Sequence, residues 1–405
     1  MGSKEFIDET DVFQIPDVGS TKQVVVRPSY VDSLKQCQFY YGLLCDDLAH
    51  DRLHNDGDFV LGLRYRSTLK KVVCLVKWSG TVLEYEFCQV EGREGISLDN
   101  FHFKATVLEV VNFHTSTKTP ISSLGVLLSK EIKKQDQLLN MDNITLGKVL
   151  GGGVFGKVYQ GELTLNGKVV SVAVKIPRAG NEKALKKATE EANVQKEYIH
   201  QNVVRLYGTV LKEDQFSIIL EYLESGSMDV YLQNNETTQE QRLAFCFDVA
   251  LGLEYLHNNE CLHGDMAARN CLVDKKHNCA KIGDFGLAVK GISYKVPKTR
   301  PTPIRWMAPE TLMDYSYERA TDIWSLGVVF WEIYTKCESQ PYGKKGLMQV
   351  QLELWANPKF HCDISEDTPQ KLKDVLLASW NHEPKKRPVV AKIVEDLLEF
   401  NWKSR

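Results

Sequence analysis

The chain has 405 residues, of which 43% are apolar and 25% charged, with a formal net charge of -3 at pH 7. That length exceeds what one hydrophobic core usually serves, so two domains are expected. The near-neutral balance excludes a whole-chain electrostatic case for nucleic acid or an anionic membrane surface.

In chain order, the opening MGSKEFIDET has no apolar stretch and reads as no secretory signal. Phe6 stands where a myristoylation motif wants Ser or Thr. Residues 1–36 are polar and without period, and read as a flexible arm. Over 37–124, short apolar runs alternate with turns. Phe59-Val60-Leu61 and residues 72–76 read as buried strands, Trp78-Ser79-Gly80 as a hairpin turn, and 42–53 and 106–113 as flanking helices. Residues 125–143, charged over 129–137, read as a linker. From 144, strands around a glycine cluster (146–163, 169–176) precede helices, with 184–199 and 242–257 as examples. The most apolar window, 323–334, contains Glu332, is too short to span a bilayer, and reads as a buried helix. The ten cysteines are scattered singly, which fits free thiols in a reducing compartment.

Gly151-Gly152-Gly153-Val154-Phe155-Gly156-Lys157-Val158 is a G-x-G-x-x-G-x-V loop. Glycines let backbone N–H groups approach phosphates. Alone the motif reads equally well as a glycine-rich hairpin, whereas a dinucleotide fold would place a helix directly after it. Val172-Ala173-Val174-Lys175 closes an apolar strand with a cation that is costly to bury unpaired, and Glu191 on the next helix is its natural partner. A surface lysine at a strand end is the plainer reading. His263-Gly264-Asp265-Met266-Ala267-Ala268-Arg269-Asn270 and Asp284-Phe285-Gly286 then supply one carboxylate to accept a hydroxyl proton, and Asn and Asp oxygens suited to magnesium.

In that order and spacing, these motifs make residues 144–402 resemble a protein kinase domain. Ala308-Pro309-Glu310 fits the family's APE segment, Arg387 the arginine that pairs with its glutamate, and Asp322 and Trp324 the helix under the catalytic loop. Ala267 and Arg269, two and four residues after Asp265, resemble the tyrosine-specific branch, as does Pro303-Ile304-Arg305-Trp306-Met307. Tyr294 falls where that branch carries its activation-loop phosphosite. The resemblance implies ATP and Mg2+. Lys175 and Glu191 would serve the α and β phosphates, Asn270 and Asp284 the metal, and Asp265 the substrate hydroxyl. Leu150, Gly151, Gly153 and Gly156 would cover ATP; Val158, Ala173 and Leu272 would sandwich the adenine. The backbone of Glu221 to Leu223 would meet the adenine edge, with Leu220 as gatekeeper.

Two positions depart from the family pattern. Gly264 replaces the arginine before the catalytic aspartate, which removes the strongest cation for a phosphorylated Tyr294; Lys295, Lys298 or Arg300 could replace it. Gln195 puts an amide one turn after Glu191, where an apolar residue is usual, which predicts a less stable active helix and low basal activity.

Residues 37–124 resemble an SH2 domain, a central antiparallel sheet flanked by two helices. The two-domain order resembles the Fes/Fer tyrosine kinases without their long amino-terminal regions. The expected class is thus α+β: SH2 followed by a bilobal kinase fold. The SH2 phosphotyrosine arginine falls at Gly62, a helix arginine at Asp46 and a strand histidine near Glu86, leaving Arg64 as the remaining cation. Phosphotyrosine binding is expected to be weak or absent, with the domain bracing the kinase. The function expected is phosphorylation of tyrosines on protein substrates by a cytoplasmic monomer. It would reach the plasma membrane only through partners, with no transmembrane segment and no nucleic acid. The competing reading is a nucleotide-binding scaffold that docks through both domains.

Overall fold

The computed structural model describes residues 34–400 except 35, 36, 38, 44–52, 67–68, 91–92, 134–138, 140–142, 154–155, 166, 179–181, 213–214 and 298–301. Nearly all of the arm assigned to 1–36 lies outside these, as do Asp46, Lys298 and Arg300. The chain divides into two compact units, 1–134 and 135–405.

The first unit holds β1 (Tyr40–Leu43), β2 (Asp58–Arg66), β3 (Leu69–Trp78), β4 (Thr81–Glu86), α1 (Val107–Thr117) and β5 (Lys130–Glu131). β2, β3 and β4 form an antiparallel meander turned at Ser79-Gly80, while β1 and β5 both pair with β2 in parallel. The sheet is therefore mixed rather than wholly antiparallel. Strand alternation sends Phe59, Leu61, Val72, Cys74 and Val76 into one core with Val107, Val110 and Val111 of α1. α1 starts at a capping box, in which the Thr106 hydroxyl accepts from the Glu109 amide and Glu109 accepts from the Thr106 amide. Residues 42 and 43, expected to begin a helix, lie in β1; 44–52 are outside the described residues. Val126 and Leu128 enter the same core and β5 follows, so the stretch read as the start of a linker packs into this unit.

The second unit opens with β6 (Ile144–Gly153), β7 (Gly156–Leu165), β8 (Lys168–Pro177), α2 (Glu182–Gln195), β9 (Leu206–Lys212) and β10 (Gln215–Glu221). These strands form an antiparallel sheet in the order β6-β7-β8-β10-β9. Gly156 is where β7 crosses closest to β8; a Cβ there would lie 2.2 Å from the Ile176 carbonyl oxygen. Helices then dominate: α3 (Met228–Asn234), α4 (Gln239–Asn258), α5 (Pro309–Asp314), α6 (Arg319–Tyr334), α7 (Leu347–Ala356), α8 (Gln370–Ser379) and α9 (Val390–Leu398). Thr238 and Gln241 cap α4 reciprocally, and Pro309 sits in the first turn of α5, where its missing N–H does no harm. α4 and α6 are apolar nearly all round because both are interior: α6 is buried from Thr321 to Tyr334. Short strands follow between α4 and α5: β11 (Cys261–Leu262), β12 (Cys271–Asp274), β13 (Cys279–Ile282), β14 (Val289–Lys290) and β15 (Ser293–Lys295). β16 (Ser316–Glu318) precedes α6. No described helix is long and apolar enough to cross a membrane.

Candidate active site

Strand alternation sorts β8 into two faces. Val172, Val174 and Ile176 enter the sheet core, while Ala173 and Lys175 face the other side. Register puts Val158 and Ile218 opposite Lys175, and Gln160 and Leu220 opposite Ala173. α2 packs on this same face through Ala188 and Ala192 against Ile218. Glu191 thereby reaches Lys175: its two carboxylate oxygens lie 2.7 and 2.9 Å from Nζ. Asp284 Oδ1 is 3.6 Å from the same Nζ. Burial disfavours the Lys175 charge, but the carboxylates of Glu191 and Asp284 outweigh it and raise the ammonium above its usual range.

The catalytic-loop motif hangs from one buried carboxylate. Asp322, on α6, accepts from the His263 amide at 3.0 Å, the Gly264 amide at 3.1 Å and the Tyr317 hydroxyl at 2.6 Å. His257 Nε2 lies 2.9 Å from Oδ2, the oxygen that also accepts from the His263 amide. Burial opposes this charge, yet the His257 and Tyr317 bonds hold the carboxyl below the ordinary range. His263 Nε2 donates to the Gly283 carbonyl at 3.0 Å, tying the loop to Asp284. Asp265 is paired with Arg269 at 2.6 Å, and Arg269 lies 4.3 Å over the Trp306 ring. Glu332 accepts from the Ala268 amide and the Trp306 indole, both at 2.9 Å, and burial pushes its carboxyl up to about 7.

The oxygens near Lys175 suit a hard divalent cation. Asn270 donates through Nδ2 to the Asp265 carbonyl at 2.7 Å, which leaves its side-chain oxygen as a donor. Burial works against the Asp284 charge, but Lys175 and the Gly286 amide keep the carboxyl ionised and below its usual range.

The family model for protein tyrosine and serine/threonine kinases matches residues 144–397. The chain belongs to this kinase family. Its relatives include Fer-related kinase 1 of Caenorhabditis elegans, 31% identical over 92% of this chain and 96% of that protein. The transforming protein Fps of an avian sarcoma virus is 27% identical over 94% of this chain and 71% of its own length. Human tyrosine-protein kinase Fer is 29% identical over 90% of this chain, which spans only 44% of that protein. The kinase is thus of the Fes/Fer, non-receptor tyrosine type, and both units fall within the matched lengths.

In this kinase the strand that carries Tyr294 is held against the start of α6. β15 pairs with β16, which stacks Tyr294 on Tyr317 with ring centroids 5.2 Å apart. Gly264 takes φ +79°, and a Cβ there would stand 2.6 Å from the Leu287 carbonyl oxygen and 3.2 Å from the Tyr294 hydroxyl. An arginine could not occupy position 264 without moving this backbone. Lys295 is already bonded to the Asp314 carbonyl at 3.2 Å. Gln195 is half satisfied: Nε2 donates to the Val204 carbonyl at 2.9 Å, while Oε1 has no hydrogen-bond partner among the described residues. The bond holds the end of α2 in the position where Glu191 meets Lys175, so the penalty expected from the sequence is reduced.

In the first unit, the face of the sheet opposite the core carries Gly62, Arg64, Lys71, Glu84 and Glu86, aligned by register. Arg64 Nε lies 3.3 Å from Glu84, and Lys71 Nζ 3.3 Å from Glu86. The cation that could reach a phosphate is therefore engaged with an acid. Sequence reasoning did not single out Glu84, Lys71, Tyr317, His257 or the bonding role of Glu332. None lies in a spaced motif, and only folding brings them to their partners.

Proposed function

We propose that the kinase transfers the γ-phosphoryl group of ATP to protein tyrosines using Lys175, Glu191, Asp265, Arg269, Asn270 and Asp284. The formed Lys175–Glu191 pair, with Asp284 beside it, is the observation that carries this reading. Lys175 steadies the α and β phosphates and Glu191 fixes its position. Asp265 orients the tyrosine hydroxyl and takes its proton. The new bond joins that oxygen to the γ-phosphorus, the bond to the β–γ bridging oxygen breaks, and ADP leaves. Magnesium, held by Asn270 and Asp284, would neutralise phosphate charge when bound. Leu150, Gly151, Gly153 and Gly156 cover the nucleotide, and Val158, Ala173 and Leu272 flank the adenine. The Glu221 amide is already bonded to the Arg205 carbonyl at 2.9 Å, so adenine contacts fall to the Glu221 carbonyl and the Leu223 amide. In a transfer assay with paired acidic peptides, label is expected on tyrosine and not on serine; equal labelling of serine would overturn the tyrosine assignment.

Residues 37–124, extended by the stretch through β5 that packs into the same unit, serve as an SH2-type module, with 144–402 as the catalytic domain. The module is a degenerate one that acts on the kinase rather than capturing phosphotyrosine. Gly62 removes the bidentate donor, and Arg64 and Lys71 are each offset by a glutamate. A phosphotyrosine peptide is expected to bind with Kd weaker than about 100 μM by calorimetry. Micromolar binding that vanishes in Arg64→Ala would reverse this conclusion. The described cysteines are all free, in keeping with a cytoplasmic monomer whose membrane contacts come through partners.

Tyr294 is the activation-loop phosphosite, but it contributes little to turnover. Its phosphate would find no arginine at position 264. Tyr294→Phe is expected to change kcat by less than about tenfold, since only charge-assisted bonds to that phosphate are lost. A hundredfold fall with an unchanged melting point would contradict it.

A further inference from the structure

The turn before α1 contains Ser97-Leu98-Asp99-Asn100-Phe101-His102, and the kinase reaction uses none of it. One carboxylate oxygen of Asp99 is saturated, accepting from the Ser97 hydroxyl and from the Phe101 and His102 amides at 2.9–3.0 Å. The other oxygen faces two imidazoles. His102 Nδ1 lies 2.6 Å away and His114 Nε2 3.8 Å away. His114, on α1, is fully buried, and its Nδ1 sits 2.9 Å from the Thr119 carbonyl oxygen. A carbonyl only accepts, so Nδ1 carries a proton, and in the neutral ring Nε2 presents a lone pair. That Nε2 is buried with no hydrogen-bond partner among the described residues. A carboxylate oxygen, 2.6 Å from His102 on one side, and the lone pair of a fully buried imidazole thus face each other, and a cation between them would be held by both.

The three ligand atoms all lie within 4.8 Å of one another. Tetrahedral zinc bonded at 2.0–2.2 Å needs its ligands roughly 3.4 Å apart, between the distances found here. The remaining features are those of a supported metal site. Thr119 fixes the tautomer of His114 from behind, and the three donors to Asp99 hold the carboxylate. The His102 ring packs 4.5 Å from Phe113 and is 41% exposed, which leaves a path for the ion and a side open to a coordinating water. We infer that Asp99, His102 and His114 form a binding site for a transition-metal dication, Zn2+ by its nitrogen and oxygen donors, that clamps the 97–102 turn to α1.

The test uses the full chain, stripped with a chelator and equilibrated with Zn2+ buffered at about 1 μM free ion. Elemental analysis is expected to find one zinc per chain, and zinc should raise the melting point. His102→Ala, at an exposed position that leaves the core intact, should weaken zinc binding by at least about 100-fold, since loss of mere outer-shell support costs up to that much. Co2+ should give visible d–d bands with the native chain and not with His102→Ala. Absence of bound zinc would overturn the inference, because the cluster would then be a proton-stabilised Asp–His pair. Equal zinc in both proteins would overturn it too, by assigning the ion to thiols elsewhere.

Discussion

Asp265→Asn is expected to lower kcat for peptide phosphorylation by about 10²–10⁴-fold, the range for losing a positioned general base. The substitution keeps the side chain's size and the bond from Asn270 to the residue-265 carbonyl. The loop also remains hung from Asp322 through the His263 and Gly264 amides. What disappears is the carboxylate proposed to accept the tyrosine proton, which pairs with Arg269 at 2.6 Å. ATP affinity should therefore stay near the native value, because Lys175 and Glu191 are untouched. Kinetics with a tyrosine peptide, alongside nucleotide binding by calorimetry, separates the two effects. A variant that keeps its turnover within tenfold would remove Asp265 from the chemistry, and would favour a docking scaffold that uses ATP only as a ligand.

Arg387→Ala is expected to destabilise the kinase domain by about 3–5 kcal/mol, as when one partner of a buried ion pair is removed. The Arg387 side chain is wholly buried and holds Glu310 with both terminal guanidinium nitrogens, at 2.7 and 2.8 Å. Its remaining donors go to the Ala320 and Asn381 carbonyls, each at 2.8 Å, and the guanidinium lies 5.1 Å over the Trp324 ring. Truncation would strip both guanidinium bonds from Glu310, which keeps a bond from the Thr321 hydroxyl at 3.1 Å, and would take one donor from each of two carbonyls. A melting point lower by about 10 °C is the expected reading for a domain of this size. Adding Glu310→Ala should recover part of the loss, since the stranded charge goes as well. If Arg387→Ala melted within 2 °C of the native protein, the pair would not be holding α5 to α6.

Much of the active site was legible before folding because its chemistry demands particular residue types at short spacings. A phosphate cradle needs glycines, a buried lysine needs a carboxylate on the next helix, and metal ligation needs oxygen donors near the catalytic aspartate. The Lys175–Glu191 pair followed from this reasoning, whereas the meeting of Arg387 with Glu310 was expected only from the resemblance to the kinase family. The first unit was legible through its strand alternation, which put Phe59 and Leu61 in the core and Gly62 and Arg64 on the opposite face. Its sheet was harder to read. β1 and β5 are only four and two residues long, and a pattern so short carries no period by which a parallel strand could be told from a helix start or a linker.

Local composition and spacing, then, determined the two-unit organisation, the kinase motifs and the two departures at Gly264 and Gln195. Tertiary structure alone decided what those departures mean. Whether position 264 has room for an arginine depends on the Leu287 carbonyl and on Tyr294, which reach it only when β15 docks on β16. Whether Gln195 is stranded depends on a Val204 carbonyl beyond the end of its helix. Arg64 is engaged by Glu84 through sheet register, and Asp99, His102 and His114 meet only when their turn closes on α1. Such contacts join residues with no fixed offset in sequence, so they leave no periodic trace; they exist only where packing has set the distances.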